Sequence, residues 1–434
     1  MTRMPWQEKT FGECAELIRE TVSPEQVDPD TPYIGLEHIA EQSLSLVGVG
    51  RAAEVSSTKF RFRRGDILFG KLRPYFRKVV RAPFDGICST DIWVVRPKSE
   101  IDSGFLFYWM ASKEFIDTSM LGSEGTKMPR AKWEFVSRIK RPIPPLPEQR
   151  AIAHILGTLD DKIALNRRMN ATLEAMARAL FKSWFVDFDP VRAKRSGRWK
   201  RGESLPGLPA HLYDLFPDRL VPSELGEIPE GWKVTSILEY SERLSGGTPN
   251  TNIPEYWNGS IKWVSAKDVR NSHGSFIIDT EKKISQLGID HSSAKILPKN
   301  TTVITARGTV GSYCILAEPM AINQTNYGIK TKLGFGDYFV FYTVANLIDW
   351  LQQNSYGTIF DTITTKTLAQ SETIFPGKEV IQAFDRAVLP FMLRIRHNKY
   401  ESLMLANVRE NILPKLITGK ISVNSISTRK DTHE

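Results

Sequence analysis

The chain has 434 residues, 41% apolar and 25% charged, too many for one ordinary domain and suited to two or three soluble ones. No apolar run approaches the ~18–20 residues of a membrane span, and the start Met1-Thr2-Arg3-Met4-Pro5-Trp6 lacks the apolar stretch of a signal peptide. The net charge of +9 favours polyanionic partners, while the scattered Cys14, Cys88 and Cys314 argue against a metal knuckle and for a reducing, cytoplasmic setting.

Residues 1–147 read as a mixed α+β domain, in which short β-branched and aromatic runs alternate with Gly, Pro and Asn turns. From Arg51 to Arg81 ten basic side chains are opposed only by Glu54 and Asp66, a local net of +8. Inside this window Gly65-Asp66-Ile67-Leu68-Phe69-Gly70-Lys71-Leu72 fits seven places of a phosphate-binding loop. Its eighth place needs a magnesium-binding hydroxyl, which Leu72 lacks. The stretch reads instead as a strand leading into a basic turn. Lys71, Arg73, Tyr75, Arg77 and Lys78 are the candidate polyanion-facing residues of that turn; were the polyanion DNA, Arg could hold guanine bidentately and Lys would grip phosphate. The alternative is a solvated edge guarded by charge. The Gly-rich loop from Gly122 to Lys127 adds Thr126 and Lys127.

Residues 148–189 carry helical periodicity. Alternating steps of four and three select Ile152, Leu156, Leu159, Ile163, Asn166, Asn170, Leu173, Ala177, Leu180 and Trp184. A second helix over 379–420 repeats the pattern 232 residues later, at Phe384, Val388, Phe391, Ile395, Asn398, Ser402, Leu405, Arg409, Ile412 and Leu416. Seven of the ten places are apolar in both copies, and Asn recurs at the same one. Such spacing is a coiled-coil seam, in which buried Asn fixes register at a cost in stability. The two helices are therefore expected to pack antiparallel, over ~50 Å at about 1.5 Å per residue. Were the polyanion duplex DNA, that length would exceed one ~34 Å turn, and the domain at each end would meet it in opposite sense. Gly157-Thr158 and Leu389-Pro390 mark an expected bend or lead-in helix, and Gly419 an expected cap.

Between the helices, 190–228 reads as a link rich in Pro, Gly and charge, followed by a second mixed domain at 229–378. This domain echoes the first: Tyr33–Ile39 parallels Trp263–Val269, Gly65–Gly70 parallels Asn300–Thr305, Arg73 parallels Arg307, and Gly125-Thr126 parallels Gly357-Thr358. With 14 basic and 13 acidic side chains it carries almost no net charge. Its candidates are Lys267, Arg270, Arg307 and Thr309, with Asn323, Gln324 and Asn326 because amides can read adenine; the plain alternative is turn-forming Asn. Residues 421–434 read as a flexible tail.

Chemistry of its own is not expected. No Gly-rich cofactor turn with an Asn/Asp-Pro-Pro-aromatic stretch occurs, as a nucleotide methyltransferase needs. Asp160-Asp161-Lys162 and Glu281-Lys282-Lys283 resemble fragments of a nuclease site, but the first reads as a solvated helix face and the second lacks a companion acid. The seven histidines show no ligand spacing, so no metal site is expected.

Pro144-Pro145-Leu146-Pro147-Glu148-Gln149-Arg150-Ala151-Ile152-Ala153, continuing to Leu159-Asp160-Asp161-Lys162-Ile163 and Asn166, resembles the central conserved region of type I restriction–modification specificity subunits. The tandem order of domain, helix, domain, helix is also that family's, as is Pro229-Glu230-Gly231-Trp232. The second copy, Pro376–Ile381, lacks the Pro-Glu-Gln core. The resemblance implies two mixed α/β target-recognition domains separated by two long antiparallel coiled-coil helices, related by a pseudo-twofold axis. It implies a bipartite, asymmetric double-stranded DNA target, one half per domain. The helices would set the spacer and dock methyltransferase subunits, and motor–nuclease subunits would join for cleavage. Those partners would use S-adenosylmethionine, ATP and magnesium, and this chain would bind no cofactor and perform no catalysis. The competing expectation is a non-catalytic RNA-binding or scaffolding protein.

Overall fold

The computed structural model describes residues 6–123, 128–307, 311–353 and 362–423. Contacts divide the chain into two units: residues 1–163 with 403–434, and residues 164–402.

In the first unit an antiparallel sheet runs in the order Ala15–Ile18, Ile92–Pro97, Ile67–Gly70, Val79–Arg81. Ile67-Leu68-Phe69-Gly70 is buried on both faces, so it reads as a continuous apolar run. One face packs on Ser103–Ala111 and Lys113–Leu121, helices started by Asp102 and Ser112 caps. A second sheet orders Thr21–Val22, Lys59–Phe62, Gly86–Cys88, Pro32–Ile34 and Gly50–Arg51, parallel only between Gly86–Cys88 and Pro32–Ile34. Gln7–Thr10 pairs with Lys140–Ile143, which leads into the first long helix.

The second unit repeats this plan. Ser241–Ser245, Asn326–Thr331, Thr302–Thr305 and Tyr313–Leu316 form the antiparallel sheet, with Phe276–Ile277 added at one edge. The second sheet orders Lys282–Ile284, Ile261–Val264, Met320–Ile322 and Ile296–Leu297, again with one parallel pair, Ile261–Val264 with Met320–Ile322. Lys233–Ser236 pairs with Glu372–Phe375 ahead of the second long helix, and Asp337–Gln353 takes the place of the two short helices. One domain topology thus occurs twice.

The long helices are Leu146–Phe185 and Lys378–Ile417, each of 40 residues and each 232 positions from its counterpart at both ends. Neither is interrupted. Pro390 is exposed, so the carbonyl it leaves unpaired meets water and the helix continues through it; separate lead-in helices, one form of the expectation there and at Gly157-Thr158, do not occur. The second helix ends where Gly419 adopts φ +70° against the Trp6 ring.

The helices pack antiparallel within each unit. In the first, Ile152 and Leu156 share a core with Leu413, Leu416 and Ile417. In the second, Phe181, Trp184 and Phe185 surround Phe384 with ring centroids 5.2–5.9 Å away. Of the apolar seam places, Ile152, Leu156, Ile163, Phe384, Val388 and Ile395 are buried, and Leu159, Leu173, Leu180, Phe391, Leu405 and Ile412 are half-buried. Asn166 and Asn398 are fully buried. Asn398 Nδ2 donates to Asn170 Oδ1 at 2.8 Å, and Asn166 Nδ2 donates to Glu401 at 2.7 Å and to Ser402 Oγ at 3.3 Å.

Residues 190–228 are not an open link. Asp189–Arg195 is helical, Ala210–Leu215 forms a 3-10 turn, and Leu220–Ser223 pairs with Gly226–Pro229. Trp199, Leu208, Leu212 and Phe216 are buried in the core of the second unit, and this apolar burial outweighs the Pro, Gly and charge between them.

Candidate nucleic-acid interface

In the first unit the strand Ile67–Gly70 ends in the turn Lys71–Lys78, whose shape follows from two non-glycine residues in left-handed conformation: Arg73 at φ 52° and Arg77 at φ 50°. Such backbone persists only where its surroundings hold it. Here Arg73 N donates to Pro129 O at 2.7 Å, Lys71 N to Asp91 O at 2.9 Å, and Gln42 N to Phe76 O at 3.1 Å. Lys78 Nζ donates to Leu36 O at 2.7 Å. The Arg77 guanidinium, 11% exposed, meets Glu410 of the second long helix at 2.5 Å.

The five candidates of this turn therefore divide. Arg77 and Lys78 hold the turn in place from within, contrary to the expectation that they face DNA: their charges are spent on Glu410 and a backbone carbonyl. Tyr75 is 45% exposed and packs its ring on Phe76. Arg73 makes no ion pair with any described residue, and its Nε is enclosed without a hydrogen-bond acceptor. Lys71 is half-buried beside it. Of the rest of the basic window, Arg81 pairs with Ile67 at the other end of the strand and Arg63 and Arg64 form the preceding turn, all three exposed, whereas Arg51, Lys59 and Arg61 belong to the second sheet and Lys59 is buried. Thr126 and Lys127 lie outside the described residues.

At the equivalent end of the second unit, Arg307 is exposed and bridges to Thr362 as Leu72 bridges to Arg130. Arg307 thus stands at the place of Leu72, one residue from the expected match with Arg73. Thr309 lies outside the described residues, as do Gly125-Thr126 and Gly357-Thr358. Lys267 and Arg270 are exposed on the short helix Ala266–Asn271, where Lys267 reaches Glu281 at 2.8 Å. The amides do not act as a group. Asn326 is fully buried and donates to Val264 O at 3.2 Å. Asn323 Oδ1 accepts from Thr325 N and Oγ1 at 3.2 and 3.0 Å, the turn-forming use of Asn. Gln324 is exposed and hydrogen-bonds Thr248. Asn326 is thus a structural residue and not the base reader expected, while Asn323 is half-buried and engages its Oδ1 within its own turn.

Sequence reasoning missed the groups that fasten these sheets to the helices. Asp160 does not lie on a solvated face: it accepts from Tyr108 Oη at 2.7 Å and pairs with Arg409, which is 3% exposed and also reaches Glu410 at 3.0 Å. Burial, then the neighbouring Asp160 charge, pushes the Tyr108 phenol up, so it remains a donor. In the second unit Arg178 donates to Tyr313 Oη at 2.5 Å and pairs with Asp349 at 3.0 Å. Lys399 Nζ donates to Phe276 O at 2.6 Å, and Glu174 accepts from Ser275 Oγ. Burial lowers the Lys399 ammonium and raises the Glu174 carboxyl. The one available signal was charge at helix positions in or beside the seam, Arg409 among them, which reads equally well as solvated surface.

A family model described as the type I restriction modification DNA specificity domain matches residues 4–175 and 229–384. The type I restriction enzyme HindI specificity subunit of Haemophilus influenzae is 27% identical over 459 aligned positions, covering 96% of this chain and 99% of that protein. The EcoDI specificity subunit of Escherichia coli is 32% identical over 185 positions, 40% of this chain and 41% of its own length. The crystal structure of a type I restriction–modification S subunit from M. genitalium superimposes with a TM-score of 0.52 at 15% identity, covering 95% of this chain and 96% of that one. At that identity the likeness speaks for the fold alone.

Proposed function

Because the chain belongs to the type I restriction modification DNA specificity family, we propose that it reads a split DNA target, one half with each recognition domain. One observation carries this reading: a single topology occurs twice and presents unlike side chains at equivalent turns, Lys71, Arg73 and Tyr75 in one copy and Arg307 in the other. Two similar readers with different contact residues read different half-sites. Phosphate contacts by Lys71 and the exposed Arg63, Arg64 and Arg81 hold register on the duplex, and Arg73, half-buried and in no ion pair with a described residue, reaches a base edge with its terminal nitrogens.

The helix pair sets the spacer and docks methyltransferase subunits. Leu389, Leu393, Met404 and Val408 support the docking role: they stand 40–67% exposed on the second helix, more apolar surface than a solvated helix needs. The chain itself performs no chemistry. S-adenosylmethionine, ATP and magnesium bind methyltransferase and motor–nuclease partners, in the cytoplasm; among the described residues no helix is long and apolar enough to cross a membrane.

The test maps methylated sites in cells carrying the complete system, before and after residues 1–145 are exchanged for another recognition domain. One half of the target changes and the other stays. An unaltered target after the exchange refutes the reading.

A further inference from the structure

The two domains are fastened to the helices at equivalent places by charges of opposite sign. Because the long helices coincide 232 residues apart, Arg178 and Glu410 occupy the same position. In the sheets, Phe69 pairs with Val79 and Ile304 with Tyr313, so Tyr313 stands where Val79 does and Gly311 where Arg77 does. In the first unit the helix supplies the acid, Glu410, and the domain supplies the base, Arg77, at 2.5 Å. In the second the helix supplies the base, Arg178, and the domain supplies Asp349 at 3.0 Å and the Tyr313 hydroxyl at 2.5 Å. The counterpart of Arg77 carries no side chain: it is Gly311, whose φ of +95° strains any residue with a Cβ.

We propose that this reversal keys each recognition domain to its own stretch of the helix pair, with Glu410 and Arg178 as the positioning residues that discriminate. The wrong domain in either place brings like charges together: Arg77 would face Arg178, and Asp349 would face Glu410. Like charges at such a contact raise the free energy of the mismatched arrangement, a repulsive element that selects as effectively as an attractive one. The first key also orders the turn Lys71–Lys78, because Arg77 is its left-handed closing residue. Glu410 thereby governs how the DNA-facing turn is presented without touching DNA. The inference rests on the reading of both domains as DNA readers.

The experiment uses the full chain in the complete methylating complex. Single variants Glu410→Arg and Arg178→Glu are compared with the restoring doubles Arg77→Glu/Glu410→Arg and Arg178→Glu/Asp349→Arg. Backbone hydrogen exchange is read at 71–81 and 313–316, and methylation is scored on targets altered in one half-site at a time. Glu410→Arg should speed exchange about tenfold at 71–81 and not at 313–316 and weaken discrimination at one half-site, with part of both effects regained in its double, the remainder reflecting the lost Arg409 contact. Arg178→Glu should act at 313–316 and on the other half-site, by a smaller factor, because its pair is about half exposed. Simple additivity in both doubles, or a single variant that leaves exchange unchanged, overturns the keying. Restored exchange with no change in either half-site leaves the keying standing and counts against the DNA reading instead.

Discussion

Arg409 offers the sharpest test of how the first domain is mounted. Its guanidinium is 3% exposed and sits between Asp160 and Glu410, while Asp160 also accepts from Tyr108. Truncating Arg409 to Ala leaves the Asp160 carboxylate with the phenol alone, in a place 24% open to water. Breaking a buried pair costs ~3–5 kcal/mol, and the partial access of Asp160 to water puts the expected loss near the lower end, about 3 kcal/mol. Asp160→Asn should cost less, about 1–2 kcal/mol, because Arg409 keeps Glu410 and the amide still accepts from Tyr108. Combining Asp160→Asn with Arg409→Ala removes both charges of the pair and should cost about 2 kcal/mol less than the sum of the two single changes. Urea unfolding of the four proteins measures this, with hydrogen exchange of 146–163 and 403–417 assigning the loss to the first unit. Additive losses would mean that the pair is not coupled, and the reasoning would fail.

Three further outcomes follow from the same structure. Ile395→Asp, at 1% exposure in the seam, should destabilise the second unit by more than about 3 kcal/mol and abolish assembly with methyltransferase; a stable, assembling variant would contradict the packing. Asp385 caps Asp337–Gln353 through Gly336 N and Phe339 N, yet burial lifts its carboxyl from 3.8 to about 6. The folded state therefore holds this proton more tightly than the unfolded one. The associated stability is complete below pH ~4 and falls by up to about 3 kcal/mol as pH rises through 6. Asp385→Asn should flatten that part of the pH–stability curve, and an unchanged slope would exclude Asp385 as its source. Finally, Arg73→Ala should weaken DNA binding and relax discrimination at one half-site, whereas Arg63→Ala with Arg64→Ala should weaken binding to all sequences and reduce the log–log salt slope by about 0.9 per lost phosphate contact. Equal loss of discrimination in the two variants would reject that division.

The long helices were legible because their burial is periodic along the chain: steps of four and three select one face, and 232 residues later the same steps select it again. The duplicated domain was legible for a similar reason, since short apolar strands recur between turn residues in the same order. What escaped were duties decided by distant partners. Arg77 looks free in any local window, because Glu410 lies 333 residues away. Asp160 looks like surface until Tyr108 and Arg409 close over it. Asn326 has the composition of a base reader, but its strand lies between two others that bury it completely. Residues 190–228 carry buried aromatics at irregular intervals, a pattern with no period to detect.

The polar centre of the helix pair limits slippage. Sliding one helix past the other by a single turn, ~5.4 Å, would separate Asn398 from Asn170 and Asn166 from Ser402, breaking the hydrogen bonds that their buried amides make in this register. Measured along DNA, such a slide amounts to roughly one and a half base pairs at about 3.4 Å each. A protein reading a split target tolerates no error of that size. A seam made wholly of leucine would hold more strongly and gauge less faithfully, so the stability given up at two asparagines is returned as constancy of the gap.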